Sequence, residues 1–518
     1  MLNDNGQGDC DDLPAIDRWH SLPLDVHKWS DHPEIKALTD RLYVEAEVDG
    51  LDKLGNRKPK KTGKGMLRVL LIDLYVKWLL DPAMATGFSK NKNSYKVKSR
   101  YNQVHVSEKI IQVEQRLFKA GYLDEEPFRK DRTGSGRSYT TRIRPSQALR
   151  SEFRKITADL YDINFHVDEE LIILQTKFVD EDGRKRQVKL PYEDTDYTNR
   201  IRAQLKAYND LLKQTFIDIP SLEEPYVRRR IEKGRRSGQE QLISIGPDNK
   251  NVHRVFNGSN SDNFQKGGRF YGGWWLQLPK DLRKSIYIND KPTVEVDYKA
   301  LHPNLLMTSP VNDPYDLGDI ILPEMGWSLR QQRDAVKSLV LMAINATSAA
   351  KAFSAFRADK KSGDPAKSLK NTQLQRLLDA FTDKFPELKD QLNTGKALYL
   401  MNLDSQIANV VLDYFTQQNI PVLCIHDSFI IQHDKETELK RVLHDASVQI
   451  ATKGIEQDSK SNSRTIRTMI QGNIKGFEEK QVYELKLPTH IMPTKQYELR
   501  KSKYYRWLEV TCRESHVE

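Results

Sequence analysis

The chain has 518 residues, 38% of them apolar and 30% charged, and its lysines and arginines exceed its aspartates and glutamates by 10. That length predicts three or four structural units, each with enough apolar residues for a core, and it excludes collagenous and mucin-like chains. The longest apolar stretch, Met66 to Leu80, is interrupted by Arg68, Asp73 and Lys77, so no segment supplies the ~20 uncharged residues of a bilayer span. The start, MLNDNGQGDCDD, carries no basic and apolar signal segment, so the expected location is the cytoplasm. Cys10, Cys424 and Cys512 stand far apart, in no spacing that suits a disulfide framework or a zinc site.

The positive charge is clustered. Lys53, Arg57, Lys58, Lys60, Lys61, Lys64 and Arg68 follow one another without an intervening acid, as a basic arm. Lys90, Lys92, Lys96, Lys98 and Arg100 form a second group, and Arg228, Arg229, Arg230, Lys233, Arg235 and Arg236 a third. One such run is ordinarily a solvated face; three of them near Tyr95, Tyr101 and Tyr226 point to a phosphate backbone as partner.

In chain order, Met66 to Leu80 predicts an amphipathic helix. Ser107 is placed to cap a second helix in which Ile110, Val113 and Leu117 share a face until Gly121. Residues 129–144 then carry Gly134-Ser135-Gly136 between basic, β-prone flanks, as a hairpin requires. Two helices followed by a basic hairpin resemble a winged helix. Leu171 to Val179 and Arg184 to Leu190 predict strands around the turn Asp180-Glu181-Asp182-Gly183, and Tyr197 to Phe216 predicts a helix with Ile201, Leu205, Tyr208 and Leu212 on one side. Residues 246–268, rich in Gly, Asn and Ser, predict a loop. A domain boundary is expected between 150 and 195.

The segment from Gly267 to Leu306 carries the first chemistry. Ile286, Ile288, Val294 and Val296 alternate around Asn289-Asp290, a hairpin whose second strand ends at Asp297. A second hairpin, Val422 to Ile425 and Phe429 to Ile431, places Asp427 at its tip. Aspartates in such places also serve as turn or cap residues. If the two strands are neighbours, Asp297 and Asp427 face a site for two divalent ions about 3.5–4 Å apart, the arrangement of phosphoryl-transfer enzymes. Between them, Arg330, Arg333 and Lys337 share a helix face that Leu341 and Asn345 continue, complementary to a triphosphate.

These residues resemble the motifs of family A DNA polymerases and the related single-subunit phage-type RNA polymerases. Asp297-Tyr298-Lys299-Ala300-Leu301-His302 is similar to motif A, Arg333 to Asn345 to the motif B helix, and His426-Asp427-Ser428 to motif C. Asn402 and Gln406 resemble the helix preceding motif C. The order is the same over Gly267 to Gln432.

The resemblance implies an α+β right-hand polymerase with palm and fingers. Asp297, Asp427 and the carbonyl of Tyr298 would hold two Mg²⁺ ions, with Mn²⁺ as a substitute. Arg333 and Lys337 would meet the phosphates, with Lys337 also catalytic, and Leu341, Asn345 and His302 would contact the nucleotide. Arg269, Asn402, Gln406 and His426 would contact primer and template. Trp274 and Trp275 are expected in the core. His302 stands where family A DNA polymerases carry a glutamate that blocks the ribose 2′-OH, and Asn345-Ala346 where they carry tyrosine and glycine, so sugar choice is open. The 130 residues from Asp297 to Asp427 imply small fingers, and no proofreading exonuclease is expected upstream.

The expected organisation is an acidic N-terminus and basic linker over 1–60, a winged-helix-like DNA-binding domain over 61–150, a hairpin and thumb-like helical region over 151–265, and palm and fingers over 266–518. The expected function is a template-directed DNA polymerase of a mobile element, acting on a DNA primer-template and nucleoside triphosphates, with replication proteins of that element as further partners. An RNA-synthesising primase or phage-type RNA polymerase, and a catalytically inactive DNA-binding initiator or regulator, are the alternatives.

Overall fold

The computed structural model describes residues 13–53, 62–95, 100–102, 105–129, 139–166, 168–179, 181, 183, 185–232, 237–258, 264–307, 311–458, 482–485 and 491–514. It is a mixed α/β protein with several small, mainly antiparallel sheets. Among the described residues no helix is long and apolar enough to cross a membrane.

The helix expected to be amphipathic, Thr62–Leu80, is instead buried on nearly every side, because apolar residues recur all round it and its Asp73 and Lys77 pair with each other. Helices Pro33–Glu45 and Lys109–Lys119 pack on it, and a four-stranded sheet completes this first core, in the order Ser21–Pro23, Ala85–Phe88, Thr141–Pro145, Leu123–Glu126. Helix Lys109–Lys119 begins one residue later than expected: Glu108 is its cap, and the Ser107 hydroxyl accepts only from the backbone N–H of Lys109, at 3.4 Å. It ends as expected, with Gly121 at φ +80°. Strands Leu123–Glu126 and Thr141–Pro145 pair antiparallel, and Arg129 bridges Tyr139 above them. The tip Gly134-Ser135-Gly136 lies outside the described residues.

A second core takes in Tyr101 and then runs from Leu171 to Ile450, with members on both sides of the boundary expected at 265/266. Its first sheet has the order Gly267–Gly272, Val252–Asn257, Ile172–Val179, Lys185–Lys189. The loop expected over 246–268 therefore contains a strand. Its pattern is masked because Arg254 faces inward, 1% exposed, between the rings of Phe256 and Phe270. The Arg254 guanidinium donates to the Gly268 carbonyl at 2.7 Å and to the Asn409 side chain at 2.9 Å. An inward arginine so satisfied replaces an apolar residue in the alternation.

The second sheet is antiparallel throughout: Leu423–Ile425, Ser428–Gln432, Lys291–Tyr298, Tyr287–Ile288, Ile217–Asp218, with Val482–Leu485 also on Lys291–Tyr298. Helices Asp196–Lys213, Ala397–Gln417 and Glu436–Asp458 cover these sheets, and Trp274 and Trp275 are fully buried. Helix Lys495–Glu514 fastens the far edge: the Tyr497 hydroxyl donates to Asp290 at 2.7 Å and the Tyr504 hydroxyl to the Gln214 carbonyl at 2.6 Å.

The described members of the basic clusters divide: some pair within the fold, while Lys53, Lys92, Arg228 and Arg230 are exposed. Arg68 stacks 4.2 Å from Trp29 and pairs with Asp31, Lys64 pairs with Asp40, and Lys53 with Asp49. Lys90 pairs with Glu125, Arg100 with Asp194, and Arg229 donates to the Gln277 carbonyl. Arg57, Lys58, Lys60, Lys61, Lys96, Lys98, Lys233, Arg235 and Arg236 lie outside the described residues.

Candidate active site

The register of the second sheet brings the two aspartates together. Asn289 and Asp290 both adopt positive φ, +48° and +61°, as a two-residue hairpin turn of this hand demands. That turn sets Ile288 opposite Lys291, and strand Lys291–Tyr298 continues with its far edge on Ser428–Gln432. Asp297 lies directly across from Ser428, and Asp427 is the residue immediately before Ser428 in the turn that joins it to Ile425. His426 enters that turn at φ +62°, a conformation seldom adopted by residues other than glycine and one that collects at functional sites. Both aspartates are half-buried. The strand end is anchored by Tyr298, whose hydroxyl donates to the Leu443 carbonyl.

A third carboxylate, Glu295, is two residues from Asp297 and therefore on the same strand face. It is 3% exposed and held at one oxygen: Ser428 donates to Oε1 at 2.7 Å and Arg283 at 3.2 Å.

Helix Leu329–Asn345 carries the cations. Ser328 caps it, with Gln331 completing a capping box. Ala335, Val336, Leu339, Val340, Ala343 and Ile344 are buried, each large apolar side chain contributing ~1.5–3 kcal/mol. The other face presents Arg330, Arg333 and Lys337, then Leu341 and an exposed Asn345. Tyr315 lies against this face. Its buried ring lies 5.8 Å from the Arg333 guanidinium and 5.9 Å from the Lys337 ammonium. Burial raises the Tyr315 pKa, and the charges of Asp313 and Asp427 add to the rise while Arg333 opposes it.

Arg269 arrives from the Gly-rich strand. Gly268, at φ +92°, has no room for a side chain: a Cβ there would stand 2.6 Å from the Phe256 ring and 2.9 Å from the Ser405 hydroxyl. This close approach to helix Ala397–Gln417 lets Arg269 grip Asp404 with both Nε and Nη2. Asp404 has no exposed side-chain surface, and it also takes His302 Nε2 at 2.8 Å. Burial opposes the Arg269 charge, but the bonds to Asp404, with Asp427 beyond, hold its pKa above the ordinary value. His426 moves the other way: burial, then the Arg269 charge, lowers its pKa, so the ring is neutral at pH 7. It meets the ring of Tyr271 edge-on at 5.7 Å.

Asn402 is 5% exposed and donates to the carbonyls of Phe264 and Gly267 at 3.0 and 3.1 Å. Gln406 in turn donates to Asn402 at 2.6 Å. The structure thus places these two where they hold the Gly-rich strand. Asp297 and Asp427 are neighbours across one strand pair, Arg269 and His302 share Asp404, and Arg333 and Lys337 share the Tyr315 ring. The sequence reading missed Tyr315, Asp313, Asp404 and Glu295. Asp404 left a signal, an acid on the buried stripe with Leu400, Ala408 and Val411; Tyr315 left none.

Among the described residues no group of three or more His, Cys, Asp or Glu side chains gathers in a metal-holding cluster. The donor set at hand, two aspartates and the carbonyl of Tyr298, consists of hard oxygens. It suits Mg²⁺, which is ordinarily held by one or two carboxylates plus substrate phosphates rather than by an all-protein cage. No protein-family model, curated protein or solved structure matches the chain.

Proposed function

We propose that this protein is a template-directed nucleotidyltransferase, a DNA polymerase whose second core works as palm and fingers similar to those of family A. The observation that carries the reading is the pairing of Asp297 with Ser428, which sets Asp297 beside Asp427 at the end of one strand pair. Two adjacent carboxylates, with Arg333 and Lys337 on one helix face of the same core, fit a polyanion bound through divalent ions better than a neutral ligand.

In the reaction, a 3′-hydroxyl attacks the α-phosphorus of a nucleoside triphosphate. A P–O bond forms, the bond to the β-phosphate breaks, the hydroxyl proton is lost, and pyrophosphate leaves. Mg²⁺ held by Asp297, Asp427 and the Tyr298 carbonyl would supply activation of the hydroxyl and neutralisation of phosphate charge. Arg333 orients the outer phosphates, and Lys337, which makes no ion pair among the described residues, neutralises the departing pyrophosphate or gives it a proton. Leu341 and Asn345 line the place of the new base pair. His302, fixed on Asp404, stands beside the sugar. The first core, with helices Thr62–Leu80 and Lys109–Lys119 and the hairpin after them, acts as a winged-helix-like DNA-binding module.

The test is incorporation of labelled dNTPs or rNTPs, with Mg²⁺, on a DNA template with and without a primer. Incorporation supports the reading, and the preferred sugar identifies the nucleotide. Failure with both nucleotides while duplex DNA is still bound favours a DNA-binding initiator.

A further inference from the structure

Segment 311–322 lies between the Asp297 strand and the cationic helix and is fastened at both ends. The Asn304 side chain exchanges hydrogen bonds with the backbone of Val311, both at 3.0 Å. At the other end Gln332 accepts from the backbone N–H of Ile321 at 2.7 Å and donates to the Asp319 carbonyl at 2.7 Å. Between these anchors one carboxylate has two tasks. Asp313 Oδ1 accepts from the backbone N–H of Tyr315 at 3.2 Å, and Oδ2 accepts from Arg333 Nε at 2.7 Å.

We propose that Asp313 is a latch on Arg333: it occupies the guanidinium until the phosphates of a nucleoside triphosphate displace it, and so sets the affinity of the site for nucleotide. The inference rests on the nucleotidyltransferase reading of this site.

The geometry gives the latch three properties. The bond uses a single donor of Arg333, and a bidentate phosphate contact through the guanidinium fork is stronger than a single-donor contact. The pair is accessible, with side chains 38% and 33% exposed, so an incoming anion reaches it from solvent. Its carboxylate carries the same sign as the substrate, so each bound triphosphate must overcome a like charge beside its anchor as well as break the ion pair. Asp334 also holds Arg333, at 2.9 Å, but it lies on the exposed side of the helix and has no link to Tyr315. Asp313, bonded both to the Tyr315 N–H and to Arg333, adds to the direct contact of the guanidinium with the ring that supports Lys337. It is a positioning residue, and it acts through Arg333.

Asp313→Asn keeps the acceptor for the Tyr315 N–H and removes the charge. The experiment measures binding of Mg²⁺-tripolyphosphate, a probe without base or sugar, to the full-length wild type, to D313N and to D313E, and the KM for nucleotide beside it. The latch predicts binding about fivefold tighter in D313N, the range of a partly exposed ion pair. It also predicts a KM that falls with it, and D313E restored toward the wild-type value. General loosening of the fold would weaken binding and does not produce this gain. Binding by the wild type with D313N equal or weaker overturns the latch and leaves the nucleotide site standing. Absence of tripolyphosphate binding in the wild type and in D313N overturns both.

Discussion

The two cores treat buried charge in opposite ways. In the first, Asp73 and Lys77 sit one helical turn apart, 0% and 2% exposed, at 2.5 Å. Thr86 and the backbone N–H of Asp25 complete the Asp73 carboxylate, and the Pro23 carbonyl takes a second proton of Lys77. Every partner is internal, so the cluster holds the helix to the sheet and offers nothing to a ligand. In the second core, Asp427 stays partly open in a turn between strands, and Arg333 and Lys337 stay open along a helix face. Beside them Arg269 and His302 rest on a sealed carboxylate, Asp404. A charge whose partners are all buried is architecture, and a charge held from behind and open in front is poised for a ligand.

That contrast can be broken at its closed end first. Lys77→Met leaves Asp73 buried without its cation and is expected to cost about 3–5 kcal/mol of stability in urea unfolding. A loss below about 1 kcal/mol would mean the pair is not enclosed as described. At the boundary between the two kinds, Asp404→Asn weakens the charge-assisted grip on Arg269. The expected cost is about 2 kcal/mol of stability, with nucleotide incorporation lowered as well. Unchanged incorporation at lowered stability would make Asp404 architecture only.

The smallest effect sharpens the comparison by pH. Glu114, on helix Lys109–Lys119, has no exposed side-chain surface and lies 3.3 Å from Lys90, which also pairs with Glu125. Burial, then hydrogen bonding with Glu125, raises its pKa to about 7, with Lys90 opposing. A carboxyl whose pKa is raised on folding favours the folded state below its unfolded pKa and loses that contribution as pH climbs through the folded value. Glu114→Gln cannot ionise, so its stability relative to wild type should rise between pH 5 and pH 8, on the order of 1–2 kcal/mol. A difference flat in pH would refute the shift.

The hairpins were legible in the sequence because apolar runs flank short turns. Ile288, Val294 and Val296 are buried on either side of Asn289-Asp290, and Val422 to Ile425 and Phe429 to Ile431 are buried on either side of Asp427. Strand Val252–Asn257 was not legible, since its inward Arg254 is satisfied in part by partners about 150 residues away, Ser405 and Asn409. The same holds in the site. Arg333 and Lys337 announce themselves by helical spacing, whereas Tyr315 and Asp313 lie in a segment without periodicity and gain their roles from Asn304 and Gln332. The basic clusters illustrate the converse. Charge density is visible in the sequence, but the engagement of Lys90, Arg100 and Arg229 with internal acceptors is a tertiary fact.

The central claim is that Asp297 and Asp427 form one catalytic pair. Its most direct test is extension of a labelled primer on a DNA template with Mg²⁺ by the wild type beside Asp427→Ala and Asp297→Ala, with duplex DNA binding and thermal unfolding measured on the same samples. The account predicts extension by the wild type, a loss on the order of 10³-fold or more in each variant, and DNA binding and unfolding close to wild type. Extension that survives either substitution would contradict it.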